Sequence, residues 1–243
     1  MMSYNYFAEV YDDLTQNVDY DARSKYLASF LNDAGIKTGS DIIDLACGTG
    51  SIAVRLADMG YRVTGIDLSP EMLSIADFKS AGKVSLINAD MLNFSLSQPA
   101  DACVCTLDSI NHLSSINEVI KAFENVYNSI KDNGIFIFDV NTVYKHNFVL
   151  ADNTFVFDEE DYFLSWDNEL IDDNKVRIII DIFVKENNIY KRFSEEFVEA
   201  AYSVEDLKAA LMPYFNVLGV YDDMTRKEPK SDSERIYFVC KRK

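Results

Sequence analysis

Residues 41–50, "DIIDLACGTG", decide the fold class of this chain. After Asp41, residues 42–46 read as a buried strand that contains one acid, Asp44, and this strand runs directly into a turn with the pattern Gly48-x-Gly50. Two glycines remove the Cβ atoms that would hold the backbone away from a ligand, and they permit backbone angles that other residues avoid. The stretch therefore predicts a ligand-binding turn between a strand and a helix, without choosing the ligand.

Strands and helices alternate on both sides of this turn. Four further apolar stretches are typical of buried strands, and helical stretches stand between them except between the second and the third: "YRVTGID", "KVSLINAD", "ADACVCTLD" and "IFIFDVN". One of the intervening helices begins with the cap residue Ser69 and carries Pro70 at its first position. Strands joined by single helices predict right-handed crossovers and a parallel sheet with helices on both faces.

The pattern changes after Asn141. Three stretches predict successive antiparallel strands, the last two joined by a turn at Asn187-Asn188: "YFLSWDNEL", "KVRIIIDIFVKEN" and "IYKRFSEEFVEAAYS". A helix, "SVEDLKAALMPYF", and two strands, "NVLGVYDDM" and "ERIYFVCKRK", complete the chain. We therefore expect an α/β core from residues 1–145 and 203–243, with an antiparallel insertion over residues 146–202 that covers the strand ends.

Charge and cysteine content exclude several classes of partner. The formal net charge of −17 would repel a nucleic-acid backbone. The sequence has neither a run of about 20 apolar residues for a membrane span nor a secretion signal. The cysteines are Cys47, Cys103, Cys105 and Cys240. Because no second Cys or His pair stands at zinc-like spacing, we expect reduced thiols, no metal site and a cytoplasmic protein.

An acid stands at or just beyond the end of each of the first four predicted strands. These acids are Asp44, Asp67, Asp90 and Asp108. Ligands of open parallel sheets lie at the carboxyl ends of the strands, so the four acids should share one edge. The carboxylate of Asp67 could accept from both ribose hydroxyls, and Asp90 could accept from an adenine amino group. Any single one of these acids could instead cap a helix or a turn.

Dinucleotide binding is the nearest alternative. Gly48-x-Gly50-x-x-Ala53 fits the pattern of that class, and Asp67 follows at a suitable distance. Asp44 weighs against it, because an acid before the turn would lie close to a pyrophosphate. A ligand with an ammonium and a sulfonium group would suit Asp44 better.

Four motifs in order resemble those of the S-adenosylmethionine-dependent methyltransferases: "DLACGTG", "GIDLSPEML", "NADM" and "CTLDSINHL". The leader "YFAEVYDDLTQNVDY" is similar to that of the small-molecule branch, which includes sugar-amine N-methyltransferases. The resemblance implies a Rossmann-like, doubly wound, seven-stranded sheet that is mostly parallel, with an antiparallel last strand, "ERIYFVCKRK". It also implies S-adenosylmethionine as the methyl donor.

The same resemblance implies donor contacts for twelve residues. Gly48 and Gly50 would pass under the donor, Asp67 would hold the ribose, and Tyr11 and Tyr20 would close over it. The remaining contacts would come from Leu68 and Met72 on the adenine, Asp90 and Met91 at its edge, and Asp44, Ala46 and Leu107 around the methionine part. Ala46 stands where the family often has a glycine.

The methyl acceptor should lie beyond the fourth strand and under the insertion. His112 could act as a general base there, although it could equally be a core histidine or part of a helix entry. Possible acceptor contacts are Asp108, Asn111, His146, Tyr162 and Trp166, of which the last two could instead pack the insertion onto the core. We expect a methyltransferase for a small molecule, with an amine as one acceptor. A nicotinamide-dependent oxidoreductase and a non-catalytic donor-binding protein stay open, as does the oligomeric state.

Overall fold

The computed structural model describes residues 8, 11–12, 15–187 and 189–243. Most of the leader before residue 15, and Asn188 of the predicted turn, lie outside these residues. Among the described helices, none is both long enough and apolar enough to cross a membrane.

The predicted alternation of strands and helices is confirmed. Its elements are α1 Tyr20–Asp33, β1 Asp41–Leu45, α2 Ser51–Asp58, β2 Arg62–Asp67, α3 Pro70–Ser80, β3 Val84–Asn88, β4 Ala100–Cys105, α4 Ile116–Ser129 and β5 Ile130–Asn141. A short 3₁₀ turn, Ser109–His112, follows β4. Ser69 caps α3 by accepting from the backbone N–H of Met72, and Pro70 is its first residue, as its sequence predicts.

Seven strands form the main sheet in the order β10-β11-β5-β4-β1-β2-β3, where β10 is Phe215–Asp222 and β11 is Arg235–Arg242. The last strand, β11, runs antiparallel to both β5 and β10, and the other pairings are parallel. The fold class predicted from the motifs is therefore confirmed. Strand order reverses between β1 and β4, and at such a point the loops diverge and leave a crevice for ligands.

Apolar clusters on the two faces of the sheet hold its helices. One cluster packs α1 and α2 over Ile42, Val63 and Ile137. The other packs α4 and α5, Val204–Leu211, over Ile43, Phe136 and Phe138. Alternate residues of β1 and β5 face opposite sides, so both faces are buried and the strands read as continuous apolar runs. The polar residues are consequently left for the strand ends.

The insertion is a separate four-stranded antiparallel sheet, which we call the lid. Its strands are β6 Thr154–Asp158, β7 Tyr162–Asp172, β8 Lys175–Glu186 and β9 Ile189–Ala200, in that order. The short strand β6 and a π-helix, Lys145–Leu150, are additions to the three strands predicted. Acids surround the five residues of β6, which weakens its strand pattern. One face of the lid is apolar and packs Leu164, Ile178 and Ile180 against Leu150.

Candidate active site

The turn after β1 places three residues in the left-handed region, with φ of 56° at Ala46, 53° at Gly48 and 77° at Gly50. A Cβ on Gly50 would lie 2.9 Å from the Cβ of Ala76, so this glycine lets α2 approach α3. A Cβ on Gly48 would meet no atom within 4 Å. Gly48 therefore leaves open space where the donor is predicted. The angle at Ala46 explains why glycine suits that position.

Asp67 joins this turn to the end of β2. Its Oδ2 accepts from the backbone N–H of Gly48 at 2.8 Å, and its Oδ1 accepts from the N–H of Ser69 at 2.9 Å. Each carboxylate oxygen has two lone pairs, so both oxygens can still accept from a further donor. The two backbone bonds thus orient the carboxylate for the ribose role that the sequence predicts.

Asp44 is a buried carboxylate with an unsatisfied oxygen. Its side chain is almost fully buried, and its Oδ2 has no hydrogen-bond partner among the described residues. Burial, followed by the nearby charge of Asp67, raises the pKa of Asp44 to about 7. An unpaired acid costs free energy in such a place unless a cation neutralises it. Asp44 therefore fits a ligand with a positive charge, and S-adenosylmethionine carries two such groups.

Asp44 lines a small cavity together with residues of the leader and of the turns after β1 and β4. We call it the donor cavity, and it is lined by Tyr11, Tyr20, Asp44, Ala46, Gly48, Thr49, Thr106 and Leu107 among others. Six of the twelve predicted donor contacts therefore lie in one place. The cavity volume is about 40 Å³, whereas ligand pockets usually measure roughly 300–1,000 Å³. The cavity is therefore smaller than a site for the whole donor.

The predicted adenine contacts lie at the adjoining strand ends. Leu68 is 69% exposed although it is apolar, and Met72 and Met91 are half-buried. Asn88 donates to the backbone oxygens of Asp67 and Leu68, which fixes the ends of β2 and β3 together. Asp90 is exposed and its Oδ1 accepts from the backbone N–H of Leu92. An exposed leucine next to half-buried methionines leaves an apolar surface that an adenine ring would cover.

The leader is attached to the turn by a polar cluster that the sequence did not predict. Lys79 of α3 lies 2.7 Å from a carboxylate oxygen of Asp12, and it also donates to the hydroxyls of Thr49 and Ser51. Thr49 donates to Asp12 at 2.7 Å. The cluster therefore ties Asp12 to the turn after β1 and to α3, next in the chain to Tyr11, which lines the donor cavity.

The loop after β4 is organised by Asp139 of β5. This carboxylate is fully buried and accepts from the backbone N–H groups of Leu107 and Asp108, which both have positive φ. Arg235 of β11 donates to Asp139 and, at 2.6 Å, to Asp108. Burial would raise the pKa of Asp108, but Arg235 and then Lys145 lower it below its usual range. Asp108 is therefore a paired carboxylate.

A second cavity of about 660 Å³ adjoins the donor cavity. It is lined by residues 17–19 of the leader, by Leu107, by Lys145 and by the connection from Asp222 to Arg235. Leu107 lines both cavities, so they meet at the end of β4. Five acids and four cations line the second cavity: Asp19, Asp222, Asp223, Asp232 and Glu234 with Arg23, Lys145, Lys230 and Arg235. Its volume suits a small and strongly polar molecule.

The 3₁₀ turn brings Asn111 and His112 next to the lid. Asn111 is fully buried, donates to the backbone oxygens of Asn141 and Ala200, and accepts from the N–H of Asn141. Its amide thus joins the core to the lid, and the residue lines neither of the two cavities. The side chain of His112 is 47% exposed, and its ring packs 5.2 Å from the ring of Phe197.

His146 lies in the π-helix and is fully buried. Its Nδ1 lies 3.2 Å from the backbone oxygen of Asn174, and its Nε2 lies 3.6 Å from a carboxylate oxygen of Glu199. Burial keeps its ring away from the second cavity, whereas the neighbouring Lys145 lines that cavity. A contact of His146 with the acceptor would therefore need an opening of the lid.

Tyr162 and Trp166 both pack on the apolar face of the lid. The indole Nε1 of Trp166 donates to Asn168 at 2.9 Å, and its ring contacts Phe155 edge-on. Neither side chain lines either of the two cavities. These contacts of Trp166 lie inside the lid, since Phe155 and Asn168 both belong to it.

Comparisons with known proteins agree with this geometry. Residues 42–134 match the family model described as a methyltransferase domain. A Bacillus subtilis protein named "Putative methyltransferase YqeM" is 36% identical over 99% of this chain and 98% of its own length. A Streptomyces fradiae enzyme, dTDP-3-amino-3,6-dideoxy-alpha-D-glucopyranose N,N-dimethyltransferase, is 34% identical over 54% of this chain and 51% of its own.

A solved structure covers nearly the whole fold. The crystal structure of an S-adenosylmethionine-dependent methyltransferase from Clostridium acetobutylicum has a TM-score of 0.88 and is 36% identical. The similarity covers 98% of each chain, and it therefore includes the lid as well as the seven-stranded sheet.

Proposed function

This chain belongs to the S-adenosylmethionine-dependent methyltransferases, and from that premise we propose that it methylates an amine on a small polar molecule. S-adenosylmethionine supplies the methyl group. One observation carries the choice of a small acceptor: the cavity of about 660 Å³ meets the donor cavity at Leu107. An acceptor in the second cavity would therefore lie beside the residue predicted to face the methionine part of the donor.

The donor end of the proposed reaction uses residues from three strand ends and from the leader. Asp44 would neutralise a positive charge of the donor, and Asp67 would accept from its ribose hydroxyls. Leu68, Met72, Asp90 and Met91 would surround its adenine. Tyr11 and Tyr20 would cover the donor from the leader and exclude water. Positioning and dehydration supply much of the rate in such a transfer, because the nucleophile needs only to be aligned behind the methyl group.

Charge at the second cavity supports a cationic molecule as the acceptor. The acids in its lining outnumber the cations by five to four, and the whole chain has a net charge of −17. Arg235 is paired with Asp108 and Asp139, and Arg23 is paired with the lining acid Asp223, so four acids and two cations of the lining stand outside these pairs. The resulting negative potential would attract a protonated amine and repel a phosphate-rich polymer.

An amine must lose a proton before it attacks the methyl group. His112 ends the 3₁₀ turn that follows β4 and lines neither cavity, but it is half-exposed and interacts with Asp108, which follows Leu107 in the chain. It is the residue that we propose as the base. The Streptomyces fradiae relative is named for N-methylation, which supports nitrogen as the acceptor atom.

A screen with radiolabelled S-adenosylmethionine tests the proposal. Small amines, phenols, carboxylates and RNA would be offered to the wild-type protein and to Asp67→Ala, which should transfer little label. We expect label on amines, with a rate that rises with pH and falls with salt as the attraction is screened. Transfer only to phenols or carboxylates would overturn the amine assignment, and transfer only to RNA would overturn the small-molecule acceptor.

A further inference from the structure

A buried carboxylate lies between the only two histidines of the chain. Glu199, near the end of β9, is 4% exposed. Its Oε1 lies 3.7 Å from Nε2 of His112, and its Oε2 lies 3.6 Å from Nε2 of His146. The three side chains come from the lid, the turn after β4 and the π-helix after β5. A single acid therefore contacts two imidazoles from separate parts of the fold.

Asn111 fixes the backbone around this group. It precedes His112, its amide donates to the backbone oxygen of Ala200 next to Glu199, and it binds both backbone groups of Asn141 at the end of β5. All these atoms are buried, so each bond is made in a low-dielectric environment where its loss would be costly. The distances between Glu199 and the histidines are therefore set by a rigid junction of lid and core.

One hydrogen bond of the His146 ring determines which of its two nitrogens carries the hydrogen. A backbone oxygen only accepts, so Nδ1 of His146 must carry the hydrogen that points to Asn174. A neutral ring would then turn the lone pair of Nε2 towards the carboxylate. Neither Nε2 of His146 nor Oε2 of Glu199 has a hydrogen-bond partner among the described residues, and the 3.6 Å between them is longer than a hydrogen bond. A hydrogen between these two atoms would replace this repulsion by an attraction.

The other oxygen of Glu199 acts on His112. A carboxylate beside Nε2 favours the form of His112 that carries its hydrogen on Nε2, which leaves Nδ1 as the acceptor. The ring is also held against Phe197. A half-exposed imidazole with an unprotonated nitrogen is what a general base requires. Without Glu199, the ring could adopt either form and could rotate.

We propose that Glu199 is a positioning residue that orients His112 as the base for methyl transfer, with His146 holding Glu199 in place. The inference rests on the proposed amine function. During transfer, the acceptor nitrogen would give its proton to Nδ1 of His112, and its lone pair would form the new bond to carbon. The donor sulfur would keep the electron pair of the broken bond. The proton on His112 would make its ring a cation, which Glu199 stabilises.

Other charged groups also face this cluster. Lys145 of the π-helix interacts with Glu199, and Asp108 at the entrance of the 3₁₀ turn interacts with His112. Arg235 of β11 lies next to both Lys145 and Asp108. These groups stay in place when Glu199 alone is changed, so a variant of Glu199 isolates its effect.

The first experiment is independent of the acceptor, because only two histidines contribute signals. Protein labelled with ¹⁵N-histidine would be studied by NMR at neutral pH, with His112→Gln and His146→Gln used to assign the ring nitrogens. We expect hydrogen on Nε2 of His112 and a changed His112 spectrum in Glu199→Gln. Glu195→Gln is the matched control, because Glu195 lies on the same face of β9 and also has a buried oxygen. A His112 spectrum that is unchanged in Glu199→Gln, or hydrogen on Nδ1 instead, would overturn the inference.

The second experiment measures turnover of an amine found in the screen. Loss of a base costs about 10²–10⁴-fold in rate, so loss of its positioning residue should lower kcat roughly 10- to 100-fold. The dissociation constant for S-adenosylhomocysteine should stay within about twofold of wild type, and Glu195→Gln should match wild type. The loss should shrink at high pH, where the amine is already neutral. A loss that is the same at every pH would indicate a purely structural role and overturn the inference.

The two proposals fail in different ways. If no amine is methylated but the NMR result holds, the assignment of the acceptor is wrong and the contact of Glu199 with His112 stands. If amines are methylated and Glu199→Gln has wild-type kcat, the function stands and the role of Glu199 is wrong.

Discussion

Gly48 donates its backbone N–H to the carboxylate of Asp67 at 2.8 Å. This bond ties the glycine turn of one strand to the acid that ends the next, so the predicted ribose acceptor is oriented before the donor arrives. Ser69 supplies a second backbone donor to the same carboxylate. Preorganisation of this kind lowers the cost of binding, because the side chain has less freedom to lose.

Asp67→Ala should weaken the binding of S-adenosylhomocysteine by about 1.5–3 kcal/mol, the range for hydrogen bonds to a charged group. Asp67→Asn should lose less, since its amide oxygen can still accept from one donor. Asp58→Ala, which removes an exposed acid paired with Lys83, serves as the control. Calorimetric titration measures the three affinities. An affinity of Asp67→Ala equal to that of the control would remove Asp67 from the donor site.

Asp44→Asn should stabilise the ligand-free protein at pH 8 and weaken its binding of the donor. The pKa of Asp44 is about 7 in the folded protein against 3.8 as the ordinary value. The folded state therefore binds more protons between these pH values, and stability contributed by Asp44 falls as pH rises through them. An uncharged amide avoids the unpaired charge, which we expect to add about 1–3 kcal/mol at pH 8.

Urea unfolding of wild type and Asp44→Asn at pH 5 and pH 8 measures this effect. The difference between the two proteins should be larger at pH 8, where Asp44 is ionised. Donor binding should also release a proton from wild type near pH 7, which calorimetry in two buffers of different ionisation enthalpy detects. Equal stability of the two proteins at both pH values would contradict the prediction.

Arg235→Met should lower the free energy of unfolding by about 3–5 kcal/mol, because removing one partner of a buried group leaves its charges unpaired. Asp108 and Asp139 would both lose their cation. Arg62→Met removes an arginine from an exposed pair with Asp41 and should cost roughly 0–1 kcal/mol. Chemical denaturation compares the two variants. Losses of similar size would mean that the burial of Arg235 does not strengthen its pairing.

The leader should exchange its amide hydrogens more slowly when S-adenosylhomocysteine binds. Tyr11 and Tyr20 line the donor cavity, whose volume of about 40 Å³ is too small for the whole donor, so we expect donor binding to change the leader. Hydrogen exchange of residues 4–20 should slow with ligand, and Lys79→Met should raise exchange in the free protein by releasing Asp12. Lys83→Met, which removes a neighbouring exposed cation, is the matched control. Identical exchange with and without ligand would argue that the leader does not close over the donor.

The sequence by itself determined the order, type and approximate bounds of most elements. Hydrophobic period is a local property, so the runs of β1 and β4 and the cap at Ser69 predict their structure without any distant contact. The same locality explains why the acids at the ends of β1 to β4 could be predicted to share an edge. Parallel strands with single crossovers must bring their carboxyl ends together. Six of the twelve predicted donor contacts then line one cavity.

Tertiary structure alone decided which side chains organise that edge. Asp139 and Arg235 are 96 residues apart, Asp12 and Lys79 are 67 apart, and Glu199 meets His112 and His146 from another sheet. The sequence does not show that a carboxylate will be buried and paired, because its cation or hydrogen-bond donor lies far away along the chain. The same holds for Asn111, whose three backbone contacts assign it to the junction of lid and core. Spacing along the chain specifies strands and their ends, whereas long-range pairing depends on how the helices, the lid and the last two strands pack over them.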